Sequence, residues 1–181
     1  SKGGYIMKKI LILASLLLVG MTGFSSKTDE VIIPDQAIRF RVIAASNTPE
    51  DQQIKQKVKT ALQTDITNLL QDSESITDTR NSLKGNIKRF ENVVSTTLLQ
   101  NEEATIFDIH YGLNYFPEKL YKGVTYPAGY YESLVVTLGA GAGDNWWCVL
   151  FPPLCLLVAE ETNTDDIEYK SFVQEMIEKY F

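Results

Sequence analysis

Few residues in this chain have the type and spacing that chemistry needs. His110 is the only histidine, and on the alternating stretch TIFDIHYGL it shares a strand face with Asp108, while Phe107, Ile109 and Tyr111 take the other face. An aspartate beside a histidine can orient a general base. The same pair on a solvated strand face needs no such role. Cys148 is the other candidate nucleophile, and with His110 as base it would define a secreted cysteine hydrolase; a carboxylate pair would define another hydrolase. The neighbours of Cys148 speak against the first, since Trp147, Val149, Leu150 and Phe151 offer no cation or helix start to stabilise a thiolate. Zinc fails as well, because Cys148 and Cys155 with one remote histidine fall short of a four-ligand set. The sequence therefore gives no catalytic residue, no metal ligand and no cofactor motif.

Gly139, Gly141 and Gly143 follow the run SLVVTL much as the glycines of a phosphate loop follow a strand. Such a loop must lead into a helix N-terminus or a Lys with Ser or Thr, whereas here Asp144 follows and Pro152 and Pro153 stop any helix. A flexible turn that folds the next segment back onto the domain is the better reading. That segment, NWWCVLFPPLC, opens a block without charge from Asn145 to Ala159. Its candidate functional residues are Asn145, Trp146, Trp147, Phe151, Pro152 and Pro153. Buried, they form a plug under a sheet; partly exposed, they are the side chains that dominate binding hot spots, or tryptophans at a bilayer interface. Cys148 and Cys155 are expected to pair as a disulfide outside the reducing cytosol, closing an apolar eight-residue loop. Left reduced, they are two small buried hydrophobes.

The compartment is indicated at the N-terminus. Lys8 and Lys9 precede an apolar run from Ile10 to Val19, followed by small residues, which is the order of a secretory signal and too short to span a bilayer comfortably. Residues 7–25 read as a signal peptide or an uncleaved N-terminal anchor, residues 1–6 as upstream or added sequence, and residues 26–36 as a polar linker. Without the first 25 residues, 14 basic residues face 23 acidic ones, a net charge of −9. That balance repels phosphate backbones, and no local basic patch offsets it, so nucleic acid is not expected as a partner.

Residues 37–181 are expected to form a single domain. The stretch AIRFRVIAA alternates, with Ile38, Phe40, Val42 and Ala44 on one face and Arg39, Arg41 and Ile43 on the other. A long helix should follow, because Thr48 can cap it, Pro49 suits its first position, and Glu50 and Asp51 meet the positive end of the dipole. Ile54, Val58, Ala61, Leu62, Ile66, Leu69 and Leu70 give it one apolar stripe. A second stripe, Ile76, Leu83, Ile87, Phe90, Val94 and Leu98, implies a second long helix after the capping serines of QDSES. ATIFDIHYGLNYF and YYESLVVTLG read as strands, with PEKLYKGVTYPAG as a turn or short extra strand between them. TDDIEYKSFVQEMIEKYF reads as a closing helix capped by Thr164, with Tyr169, Val173, Met176, Ile177 and Tyr180 on one face. The order implies an α+β fold: a mainly antiparallel sheet packed against two long amphipathic helices, an apolar disulfide-containing loop and a C-terminal helix.

Two stretches carry a resemblance. IRFRVIAASNTPEDQQIKQKVK followed by YPAGYYESLVVTLGAGAGDNWWCVLFPPLC resembles the stage II sporulation protein R (SpoIIR) family of endospore-forming Firmicutes, from Ile38 to about Leu157. The Trp-Trp-Cys to Pro-Pro-Leu-Cys run is its most specific part. The family's usual ANSDS after the first strand is AASNT here, and the Arg-Asp that often ends the next block is Lys59-Thr60. The resemblance implies a signalling protein rather than an enzyme, made in the forespore and exported to the space between the two sporulation membranes. Its implied partner is the membrane-embedded aspartic protease SpoIIGA, which it triggers to process pro-sigma-E. Membrane proximity follows from both the N-terminus and that partner.

Overall fold

Thr48 accepts a hydrogen bond from the Asp51 amide at 3.2 Å and Pro49 occupies the first turn, so helix α1 (Pro49–Leu70) starts where its local chemistry dictates. The computed structural model describes residues 30–155 and 165–181. The export segment read over 7–25, the residues before it, the first four residues of the linker (26–29) and the Thr164 cap lie outside the described residues. Among the described residues, no helix is long and apolar enough to cross a membrane.

The second apolar stripe forms two helices rather than one, α2 (Ile76–Gly85) and α3 (Ile87–Gln100). Asn86 makes the break. Its amide donates to the Leu83 carbonyl at 3.2 Å and its side chain to the Ser82 carbonyl at 2.8 Å, closing α2 before α3 begins. The stripe survives the break, because Leu83, Phe90, Val94 and Leu98 are all buried in one core with Ile54, Val58, Leu62 and Ile66 of α1.

That core is covered by one face of a four-stranded sheet, order β3-β6-β2-β7, built from β2 (Ile38–Ile43), β3 (Phe107–Phe116), β6 (Gly129–Leu138) and β7 (Asn145–Phe151). Ile38, Phe40 and Val42 of β2 face the helices as the alternation predicts. The sheet is mixed: two of its three ladders are antiparallel, as expected, and the central one is parallel. β3 pairs antiparallel with β6 and β7 antiparallel with β2, but the two central strands run parallel, with Arg39 opposite Ser133 and Val42 opposite Val136. A parallel strand covered on both faces carries a near-continuous apolar run, and the uninterrupted burial from Ser133 to Val136 is that signature.

The other face is covered by a three-stranded sheet, order β1-β5-β4, made of β1 (Val31–Ile32), β4 (Lys119–Tyr121) and β5 (Val124–Tyr126), together with helix α4 (Asp166–Tyr180). PEKLYKGVTYPAG thus supplies two short strands. The linker expected over 26–36 overlaps the body: Val31 and Ile33 are buried, and the Ile33 amide donates to the Thr125 carbonyl at 3.0 Å, so the folded unit begins at Val31 rather than Ala37. Helix α4 is capped by Asp165, whose side chain accepts from the amides of Ile167 and Glu168.

Candidate functional site

The uncharged block expected as a loop is an edge strand. β7 lies against β2 with Trp146 opposite Val42, Trp147 opposite Arg41 and Cys148 opposite Phe40. Alternation then sends the two tryptophans to opposite faces. Trp146 meets the Phe40 ring edge-on at 5.7 Å on the helix side, with Lys59 Nζ 4.6 Å from its ring centre. Trp147 packs on the far side against Phe116 at 5.6 Å and Tyr126 at 5.2 Å. Both tryptophans are half-buried and Asn145 is exposed, whereas Cys148, Val149, Leu150, Phe151 and Pro152 are buried and Pro153 half-buried. The strand is thus plug at its end and accessible surface at its start.

Cys148 and Cys155 form a disulfide, with Cα atoms 5.4 Å apart. It ties the middle of β7 to the residue that follows the turn at Pro152–Leu154, where the Phe151–Pro152 bond is cis and the Leu154 amide donates to the Val149 carbonyl at 3.1 Å. Gln63 of α1 donates to the Cys155 carbonyl at 2.7 Å and so anchors this turn to the helix layer. The glycine turn before β7 has left-handed backbone at Gly139 and Gly141, φ +52° and +62°. Asn47 then holds its exit, because the Asp144 amide donates to Asn47 Oδ1 at 2.6 Å, while buried Lys55 donates to the Asp144 carbonyl at 3.0 Å. Burial lowers the Lys55 pKa, and Asp144 works against that shift.

Under Trp147 lies Arg39, fully buried between aromatic rings. Its guanidinium carbon is 3.5 Å from the Tyr131 ring centre, 4.9 Å from Trp147 and 5.0 Å from Phe116. Nη2 reaches the Pro127 carbonyl at 3.4 Å, but Nε and Nη1 have no hydrogen-bond partner among the described residues. Burial lowers the Arg39 pKa to about 10. Neighbouring Arg41 stacks on Phe116 at 3.8 Å and donates to the Tyr115 carbonyl at 2.7 Å. Beside this cluster, Trp146, Trp147, Tyr126, Tyr169, Leu154 and Lys119 help to line a cavity of about 230 Å³.

Sequence reasoning placed Cys148, Cys155 and the tryptophans but passed over Arg39, Asn47, Lys55 and Gln63. Two arginines at alternate positions of an apolar strand were the available signal for the first. His110 and Cys148 do not meet. They sit on the two edge strands of the four-stranded sheet, three ladders apart at about 4.8 Å each, and on opposite faces, Cys148 level with Phe40 and His110 in the row of Val135 and Arg41. A hydrolase built on Cys148 and His110 is thereby overturned, and the disulfide leaves Cys148 no free thiol. Asp108 and His110 are both exposed. Among the described residues, no three His, Cys, Asp or Glu side chains gather into a metal site.

Residues 34–161 match the family model described as stage II sporulation protein R (spore_II_R). The chain is similar to Stage II sporulation protein R of Bacillus subtilis (strain 168), 39% identical over 152 residues that cover 82% of this chain and 68% of that protein. No solved structure matches.

Proposed function

The chain belongs to the stage II sporulation protein R family, and we propose that it is an exported intercompartmental signal that activates the membrane-embedded aspartic protease SpoIIGA to process pro-sigma-E. The observation that carries the reading is the Trp-Trp-Cys strand, which is held rigidly by the disulfide and by Gln63 yet stands at a sheet edge with two half-exposed tryptophans beside a cavity. Aromatic anchors fixed next to a pocket suit recognition of a protein partner. A disulfide suits an oxidising compartment, in keeping with the basic and apolar N-terminus and with a place between the forespore and mother-cell membranes.

Co-expression in a non-sporulating host tests the proposal. Precursor cleavage should require this chain, the protease and the sigma precursor together, and should fail when residues 8–25 are deleted so that the domain stays inside. Equal cleavage without the chain, or with the internal form, would refute the signalling role.

A further inference from the structure

The cavity beside Trp147 has a feature that a simple apolar plug would lack. Trp146, Trp147, Cys148 and Val149 all line it, four consecutive residues of one strand. Side chains of a strand alternate between faces, so a hollow above either face would touch every second residue. A hollow touching all four reaches past the side chains of one face to the body of the strand itself. The sheet order puts β7 at the sheet's edge, with β2 on its inner side. Val149 turns its carbonyl away from β2 to accept from the Leu154 amide, so the alternate positions Trp147 and Asn145 also direct their backbone groups outward.

The charged lining of the hollow, among the described residues, has one sign. Among the described residues Lys119 is the only charged one lining it, and its ammonium lies 5.1 Å from the Trp147 ring centre. Behind the same ring stands the buried guanidinium of Arg39, with two of its nitrogens unpartnered among the described residues and the Asp35 carboxylate only partly offsetting its charge. Among the described residues no carboxylate lines the cavity, although the whole chain carries a net charge of −6. A small positive potential set in an acidic protein selects for an anionic group.

We propose that this cavity receives an extended segment of a partner protein, which pairs along the outer edge of β7 and sets an acidic side chain against Lys119. Strand addition supplies the main-chain hydrogen bonds, and the aromatic pocket supplies the side-chain selectivity. The inference deepens the reading of the chain as a partner-binding signal and rests on it.

The test uses the disulfide-bonded full chain and two capped peptides, acetyl-Thr-Val-Glu-Val-Thr-amide and its Gln counterpart, titrated against tryptophan emission. The Glu peptide should bind saturably and about fivefold or more tighter than the Gln peptide, and Lys119→Gln should bring the two affinities together. Equal binding of both peptides to the unaltered chain, or no saturation by either, overturns the proposal. In the co-expression assay, Lys119→Glu should abolish precursor cleavage with thermal stability unchanged; full cleavage with that variant also overturns it. If the unaltered chain drives no cleavage while the peptides still discriminate, the signalling reading falls and the carboxylate pocket stands.

Discussion

Arg39 stands over the ring of Tyr131, its guanidinium carbon 3.5 Å from the ring centre and no part of the residue exposed to solvent. Burial holds its pKa near 10, so at neutral pH it stays charged at an energetic cost that stacking on the rings only partly offsets. The sign follows. The unfolded arginine binds its proton more tightly, and the penalty persists until the pH rises through about 10. Arg39→Met keeps much of the volume and removes the charge, so it should leave stability within about 1 kcal/mol of the unaltered chain or raise it. Arg39→Ala opens a cavity among the rings and should cost roughly 2–4 kcal/mol in urea unfolding.

The two tryptophans should behave differently. Trp147 is packed between Phe116, Tyr126 and the arginine, so Trp147→Ala should lose about 3 kcal/mol of stability. Trp146 meets Phe40 and Lys59 at the rim of the helix face, and Trp146→Ala should lose about 1 kcal/mol. Thermal unfolding measured beside precursor cleavage separates lost fold from lost recognition.

Replacing Cys148 and Cys155 together by serine should lower stability by about 2.5 kcal/mol, the chain-entropy value for a loop of that length. Peptide mapping without reductant should recover residues 148 and 155 in one cross-linked fragment.

Gly143 admits no side chain. A Cβ there would fall 2.2 Å from the Ser46 carbonyl oxygen, so Gly143→Ala must push the glycine turn away from the end of β2. A loss of roughly 2–3 kcal/mol is expected, with the tryptophan emission altered because β7 begins two residues later.

Glu132 sets an acid limit. Burial, the largest single influence, would raise its carboxyl pKa, but the paired hydrogen bonds from Arg80, at 2.7 and 2.8 Å, the Tyr111 hydroxyl and the charges of Arg80 and Lys84 together outweigh that and hold it below the usual carboxylate value. A depressed folded pKa contributes stability that is present at neutral pH and lost as the pH falls through the folded value. Glu132→Gln should remove about 1 kcal/mol at pH 7 and flatten the acid limb of the stability curve.

Local signals made the helices legible in the sequence. Thr48 with Pro49 fixed the start of α1, and the stripe from Ile54 to Ile66 is the buried face of that helix. The break at Asn86 was hidden because the apolar stripe runs on across it, and periodicity reports the face a helix buries rather than its continuity. The direction of β6 was hidden for another reason: pairing partners are chosen by the whole chain, and SLVV offered only its unbroken apolar run as a clue. At the site, residue types gave the cysteine pair and the aromatic block. They did not give the arginine beneath, since burial of a charge is decided by rings that arrive from β3, β6 and β7.

The parallel ladder between β2 and β6 also sets the order in which the chain can fold. Arg39 finds Ser133 only after the three helices, β3 and the small sheet's strands have been made, and the other side of β2 waits for β7. Contacts of such long sequence separation form slowly, whereas the capped helices need only their own turns. A chain leaving a ribosome or a membrane pore N-terminus first therefore carries β2 with both edges bare until residue 138 is free, and with one edge bare until residue 151. In that interval Phe40 and Val42 have nothing to cover them but helices still searching for a sheet, and β2 is the segment a chaperone would have to shield.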